Sequence, residues 1–126
     1  MFEISNQSNI KAPSNFSKYK EIKEMVLGKS FDLSVCFIDP KKSKKINKDL
    51  RKKNKPANVL SFCLDKNSGE VLINLDTKKE ARKFNMSHKK YIAFLLIHGC
   101  LHIKGFDHGE KMDLEEKKFL KKIKNL

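Results

Sequence analysis

The sequence predicts an α+β fold, in which a small mixed sheet of about four strands is covered by helices. Short apolar runs of strand length alternate with segments of helical periodicity, and two of these runs follow one another across a turn. A chain of 126 residues is long enough for one hydrophobic core but not for two. We therefore expect a single domain over residues 1–126.

The first long segment, residues 12–30, predicts a helix. Ser14 or Asn15 can cap its start and Gly28 ends it, with apolar side chains recurring at Phe16, Tyr19, Ile22, Met25 and Val26. Residues 31–39 follow as a largely buried strand.

A short basic helix is predicted next. Pro40 suits its first turn, and Ile46 and Leu50, four residues apart, would face the core. At the start of the sequence, residues 1–5 are compatible with a short first strand.

Two adjacent strands are predicted at 58–65 and 69–76, joined by a KNSG turn as in a hairpin. A short helix follows over residues 77–85. Thr77 is its expected cap, with Glu80 three residues later in the manner of a capping box.

The chain closes with two further helices. The first covers residues 87–104, with Ser87 as cap and Gly105 as a left-handed terminator. The last covers residues 109–126, with acids early and lysines late as the helix dipole favours. Its expected buried side is formed by Met112, Phe119, Leu120 and Ile123.

The charge balance points to a polyanionic partner. The formal net charge is +13, and residues 41–55 carry nine basic residues and one acidic residue. An AT-rich genome would also enrich lysine, but this clustering favours phosphate binding. The longest apolar run, residues 91–97, is too short to span a membrane, and no secretory signal is visible. We expect a cytoplasmic protein without a membrane partner.

The three cysteines, Cys36, Cys63 and Cys100, include no CxxC pair. A disulfide framework or a cysteine-rich zinc knuckle is therefore disfavoured. Cys36 and Cys63 lie in strand-like runs, where cysteine usually behaves as a small hydrophobic residue. Cys100 lies two residues from both His98 and His102, so on a helix it points away from them and into the core.

Three of the four histidines fall within residues 98–108. His98 and His102 lie one helical turn apart on one face, and Gly105 lets the chain turn so that His108 can join them. Three protein ligands leave a fourth position open, as at catalytic zinc sites. We therefore predict one Zn²⁺ ion bound by these histidines, on a long helix and the loop after it.

The residues next to these histidines limit the kinds of reaction that we expect at this site. Gly99 occupies the position at which zinc proteases of similar spacing carry their general-base glutamate, so a peptidase is disfavoured. Asp107 could orient an imidazole or cap the last helix, and both roles stay open. His88, at the start of the same helix, is expected to be a surface or helix-start residue.

The segment HGCLHIKGFDH closely resembles the HGxLHLxGYDH signature of the YbeY family of bacterial metal-dependent endoribonucleases. Residues 50–62, LRKKNKPANVLSF, resemble the family's arginine-containing stretch, and residues 69–74 its GDI strand. The likeness spans roughly residues 32–124. In this chain Ala57 replaces a usual Thr, Glu70 an Asp, and Phe106 a Tyr, so two hydroxyl groups of the family pattern are absent.

The resemblance implies that His98, His102 and His108 bind zinc and that Arg51 is the functional arginine of the same cleft. It also implies single-strand-specific cleavage of ribosomal RNA at the ribosome, in maturation of the 16S rRNA 3′ end and in ribosome quality control. Two alternatives stay open. One is a non-catalytic, RNA-binding assembly factor with a structural metal, and the other is a metallohydrolase of peptides or small molecules.

Overall fold

The computed structural model describes residues 1–124 and 126, and within them the chain forms four strands and five helices. In chain order they are β1 (Phe2–Asn6), α1 (Phe16–Leu27), β2 (Asp32–Ile38), α2 (Pro40–Arg51), β3 (Val59–Asp65), β4 (Ser68–Asn74), α3 (Lys78–Lys83), α4 (His88–Lys104) and α5 (Glu110–Lys122). The predicted α+β class and element order are confirmed. Position 125, within the predicted last helix, lies outside the described residues.

The four strands form one mixed sheet in the order β1-β2-β4-β3. Strand β2 pairs in parallel with both β1 and β4, whereas β3 and β4 form the predicted antiparallel hairpin. Parallel neighbours need a crossover connection, which α1 supplies between β1 and β2. In this strand order β3 lies at one edge of the sheet, where it also contacts α4.

The main core lies between one face of the sheet and the helices α1, α4 and α5. Val35 and Phe37 of β2 point into this core, whereas the alternate residues Cys36 and Ile38 point to the opposite face. On that second face a smaller apolar cluster is partly covered by Ile46 of α2. Most of α4 is buried, and its central, partly exposed residues, Phe94, His98 and His102, recur every four positions on one side of the helix.

Two predicted core positions are wrong. Leu50 is 62% exposed, and the buried residues of α2 are the polar Ser43 and Asn47. The Ser43 and Asn47 side chains donate hydrogen bonds to the segment that follows the helix. This face of α2 is therefore held by hydrogen bonds rather than by apolar contacts. Cys63 is exposed on edge strand β3, next to an irregularity in the pairing between Cys63 and Asp65. Cys36 is buried as predicted.

Gly99 marks the closest approach of α4 to the sheet. A Cβ atom at this position would lie 2.8 Å from Cγ1 of Val71 in β4 and 3.3 Å from Cγ2 of Val59 in β3. The position therefore faces the sheet and has no room for a side chain. A glutamate such as zinc proteases carry here would have to displace the strands.

We expect Gly99→Ala to lower the free energy of unfolding. Overpacking against Val71 should cost about 1–3 kcal/mol, which exceeds the gain of up to about 1 kcal/mol from alanine's higher helix propensity. Urea unfolding of the two proteins measures the difference. Lys89→Ala, on an exposed position of the same helix, is the control and should change little. An unchanged or higher midpoint for Gly99→Ala would show that the helix can move away without cost.

Candidate metal centre

Local signals at both ends of α4 place its histidines. The Ser87 hydroxyl accepts a hydrogen bond from the Lys90 backbone N–H at 3.1 Å, which caps the start of the helix as predicted. Gly105 has a φ of +112°, a conformation that glycine adopts without strain, and the helix ends there. The chain then reverses, with the Phe106 N–H bonded to the Leu101 carbonyl oxygen. This reversal brings His108 back beside the last two turns of the helix.

The three predicted histidines converge on one point. One ring nitrogen from each of His98, His102 and His108 lies within 4.8 Å of the others. The ring centroids are 4.6 Å apart for His98 and His102, 4.6 Å for His102 and His108, and 5.2 Å for His98 and His108. The first two rings are partly buried, and that of His108 is exposed.

Hydrogen bonds fix which nitrogens are available. Nδ1 of His98 lies 2.9 Å from a carboxylate oxygen of Glu116, and Nδ1 of His102 lies 3.0 Å from the Phe106 carbonyl oxygen. A carbonyl oxygen only accepts, so Nδ1 of His102 donates, and an ionised Glu116 assigns the same role to Nδ1 of His98. In the neutral rings both Nε2 atoms then carry a free lone pair.

The two Nε2 atoms are 3.1 Å apart and face each other. Ligand nitrogens of a tetrahedral zinc ion, each about 2.0–2.1 Å from the metal, lie about 3.3 Å apart. The separation in this protein therefore suits a shared divalent cation. The three-histidine group fits the metal that the sequence pattern implies, and it could hold one ion.

The electrostatic environment favours the neutral, metal-binding form of His102. Burial lowers the pKa of His102 below its usual value, and the neighbouring His98 lowers it further. Since a metal displaces a proton from imidazole, a lowered pKa reduces the competition between protons and the metal.

Cys100 does not belong to the site. It is fully buried in the main core, and burial raises the pKa of its thiol to about 12. Its side chain contacts apolar core residues and is not part of the group formed by the three histidines. The prediction that Cys100 points away from the histidines is confirmed.

Neither role considered for Asp107 is found. Gly109, not Asp107, is the N-cap residue of α5, so the structure does not support the alternative in which Asp107 caps this helix. Within the described part of the chain, Asp107 forms no hydrogen bond to an imidazole. His88 is the first residue of α4, as expected, and its Nε2 lies 3.2 Å from the Thr77 hydroxyl, away from the other three histidines.

Glu116 is a candidate functional residue that the sequence reasoning missed. It lies on α5 and is only 5% exposed, and its carboxylate holds Nδ1 of His98. A carboxylate in this place fixes the tautomer and the orientation of a histidine whose other nitrogen is free for a metal. The acidic residues early in the last helix were predicted only as partners of the helix dipole, so no signal in the sequence separated Glu116 from its neighbours.

Arg51, the last residue of α2, is exposed and makes no contact with the three histidines within the described residues. The chain after it folds back along the helix. The Ser43 hydroxyl donates to the Ala57 carbonyl oxygen at 2.6 Å, and the Asn47 amide donates to the Lys55 carbonyl oxygen at 2.8 Å. These two bonds tie down the loop that carries the second half of the basic segment.

The same loop ends next to α4. The side-chain amide of Asn58 donates to the Tyr91 hydroxyl at 3.1 Å, two turns of helix before His98. The loop after the basic segment is thus bonded to α4, whereas α2 itself packs on the second face of the sheet. None of the described helices is long and apolar enough to cross a membrane.

Fold and site together define a small α+β protein in which a buried helix and the loop after it present three histidines able to share one divalent ion. Residues 3–125 match the family model described as Endoribonuclease YbeY. The chain therefore belongs to the YbeY endoribonuclease family. The match begins earlier than the roughly residue 32 at which the sequence likeness was expected to start.

Individual relatives agree. The chain is 38% identical over 110 residues to Endoribonuclease YbeY of Aquifex aeolicus, covering 81% of this chain and 73% of the relative. It is 38% identical over 101 residues to Endoribonuclease YbeY of Phytoplasma mali, covering 73% and 68%. A solution structure of a Thermotoga maritima protein superposes with a TM-score of 0.68 at 25% identity, over 98% of this chain and 89% of the other.

Proposed function

We propose that this protein is a zinc-dependent, single-strand-specific endoribonuclease that acts on ribosomal RNA at the ribosome in the cytoplasm. Its proposed tasks are maturation of the 16S rRNA 3′ end and ribosome quality control. The observation that carries the proposal is the convergence of His98, His102 and His108, with ring nitrogens within 4.8 Å of one another, in a chain of the YbeY family.

Zinc is the metal we propose, with one ion bound by the three histidines. Imidazole nitrogens suit Zn²⁺ well, and three protein ligands are the usual number at catalytic zinc sites. When bound, the ion would supply Lewis-acid polarisation of a phosphoryl group. Glu116, the one carboxylate among the described residues that contacts these histidines, is buried and holds His98, so we assign it the role of orienting that ring.

Arg51 is the residue we propose to bind the scissile phosphate. Its guanidinium is exposed, and no carboxylate within the described residues forms an ion pair with it. A planar guanidinium can donate two parallel hydrogen bonds to a phosphate and offset the charge that develops during cleavage. The lysines of residues 41–55 would hold the flanking backbone.

We expect Arg51→Ala to lower kcat for RNA cleavage by roughly a hundredfold, as loss of one donor to the transition state commonly does. Lys48→Ala removes one charge from the same last turn of α2 and is the matched control. It should raise KM and leave kcat nearly unchanged. Equal effects of both variants on KM alone would reduce Arg51 to one more contact with the RNA backbone.

The direct test of the proposal is cleavage of single-stranded RNA and of the matching duplex by metal-free protein and by the same protein reloaded with zinc. We expect cleavage of the single strand only, and only after reloading. A cyclic 2′,3′-phosphate at the product end would identify the RNA 2′-hydroxyl as the attacking group. Activity that is indifferent to zinc, or binding that is indifferent to salt, would contradict the proposal.

A further inference from the structure

A row of aromatic rings leads from the turn before α4 to the candidate metal centre. Phe84 stacks on Tyr91 with ring centroids 5.9 Å apart, and Tyr91 stacks on Phe94 at 6.0 Å. Phe94 in turn lies 6.4 Å from the ring of His98, one helical turn further on. The rings therefore form a continuous track that ends at a proposed metal ligand.

Only part of this row is buried. Tyr91 lies in the core and supports the other two rings from below, whereas Phe84 is 58% exposed and Phe94 is partly exposed. The Phe84 and Phe94 rings are 6.4 Å apart and tilted by 37°. Phe84 contacts both of the other rings, yet it stays more than half exposed. An exposed pair of rings beside a candidate active site is a common sign of a binding surface.

The surroundings of the ring pair suit a nucleic acid. Lys83 directly precedes Phe84 in the chain and Lys89 lies between Phe84 and Phe94, and both lysines are exposed. The bond between Asn58 and Tyr91 connects the ring row to the loop that follows Arg51, which carries Lys52, Lys53 and Lys55. Apolar rings flanked by cations are the pattern of single-strand binding surfaces, where bases stack on the rings and cations follow the phosphates.

We propose that Phe84 and Phe94 form a stacking subsite for an unpaired base of the RNA strand, next to the phosphate that is cleaved. This subsite rests on the proposed function and adds a way in which the RNA substrate is recognised. A base within a duplex has both faces covered by its neighbours, whereas a base in a single strand can leave the stack and lie on a protein ring. The ring pair thus gives a physical basis for preferring single strands.

The test compares the affinity of a short labelled oligoadenylate with that of an abasic strand of the same length, which keeps the phosphates and loses the bases. Fluorescence anisotropy is measured with a chelator present, so that neither metal nor cleavage contributes. We expect Phe84→Leu and Phe94→Leu each to weaken oligoadenylate binding by about fivefold or more. Binding of the abasic strand should stay unchanged.

Phe16→Leu is the matched control, because Phe16 is also an exposed ring in an aromatic pair, with Phe2 at 5.4 Å on another part of the surface. It should leave both affinities unchanged. Leucine keeps most of the apolar area, and the exposed Phe84 can be replaced without disturbing the core, so a folding defect does not confound that variant.

Three outcomes would overturn the subsite. Equal affinity of the wild-type protein for the two strands overturns it while leaving the proposed ribonuclease function intact. The same holds if Phe84→Leu changes self-association in sedimentation but not oligoadenylate affinity, which would assign the rings to an interface between copies of the chain. Absence of any RNA binding by the wild-type protein, both with the chelator and after reloading with zinc, overturns the subsite and the proposed function together.

Discussion

Replacing His102 with alanine is expected to abolish stable zinc binding and, with it, RNA cleavage. His102 is the middle ligand of the proposed set, and its Nε2 lies 3.1 Å from that of His98. Loss of a residue that merely supports a ligand usually weakens metal affinity about 10–100-fold, so loss of the ligand itself should cost more than about a hundredfold. Zinc content of the purified variant and cleavage of single-stranded RNA measure the two effects.

His88→Ala is the control, because His88 also lies on α4 but contacts Thr77 instead of the other histidines. It should keep both zinc and activity. The alternatives give different results for His102→Ala. A folded, metal-free variant that still supports rRNA maturation would favour an assembly factor with a structural metal. The metallohydrolase would be favoured if the wild-type protein hydrolysed peptides or small molecules but not RNA, and if His102→Ala lost that hydrolysis.

The parts of the site that could be predicted are those determined by nearby residues. His98 and His102 lie on one helix, and the position of His108 depends on the turn at Gly105, so helical geometry and one left-handed glycine bring the three together. Likewise the hairpin, the long helix and its Ser87 cap each follow from a few neighbouring side chains. The mixed sheet could be predicted as a class, but its strand order became known only from the structure.

The parts that could not be predicted depend on contacts between distant segments. Glu116 meets His98 across 18 positions of the chain because α5 packs against α4, and no periodicity encodes that register. Leu50 repeats at core spacing after Ile46, yet the returning loop offers backbone carbonyl oxygens to Ser43 and Asn47 instead of an apolar surface. An apolar pattern reports which residues prefer burial, and it does not report what the rest of the chain places opposite them.

Phe106 shows why a departure from the family pattern need not remove a function. Phenylalanine at this position lacks the hydroxyl of the usual tyrosine. In the structure its backbone carbonyl oxygen accepts the hydrogen bond from Nδ1 of His102. Any side chain leaves that oxygen in place, so the contact that orients the second histidine is insensitive to the replacement.

The orientation of His98, by contrast, depends on a side chain, that of Glu116. We expect Glu116→Ala to weaken zinc binding by about 10–100-fold, because His98 loses the acceptor that fixes its ring and leaves Nε2 free for the metal. Competition for zinc against a chromophoric chelator measures the affinity without reference to catalysis. Circular dichroism checks that the variant is folded.

Glu116→Gln tests whether Glu116 acts by accepting the hydrogen bond that orients His98 or only by occupying space. Its amide oxygen can still accept from Nδ1, although without the negative charge, so zinc affinity should recover to a value between those of the alanine variant and the wild type. Asp113→Asn, an equivalent loss of charge at an exposed position of α5, should have no effect. If alanine and glutamine weaken the affinity equally, the charge matters and the hydrogen bond does not. If neither variant weakens it, Glu116 stabilises the packing of α5 on α4 and has no role in positioning His98.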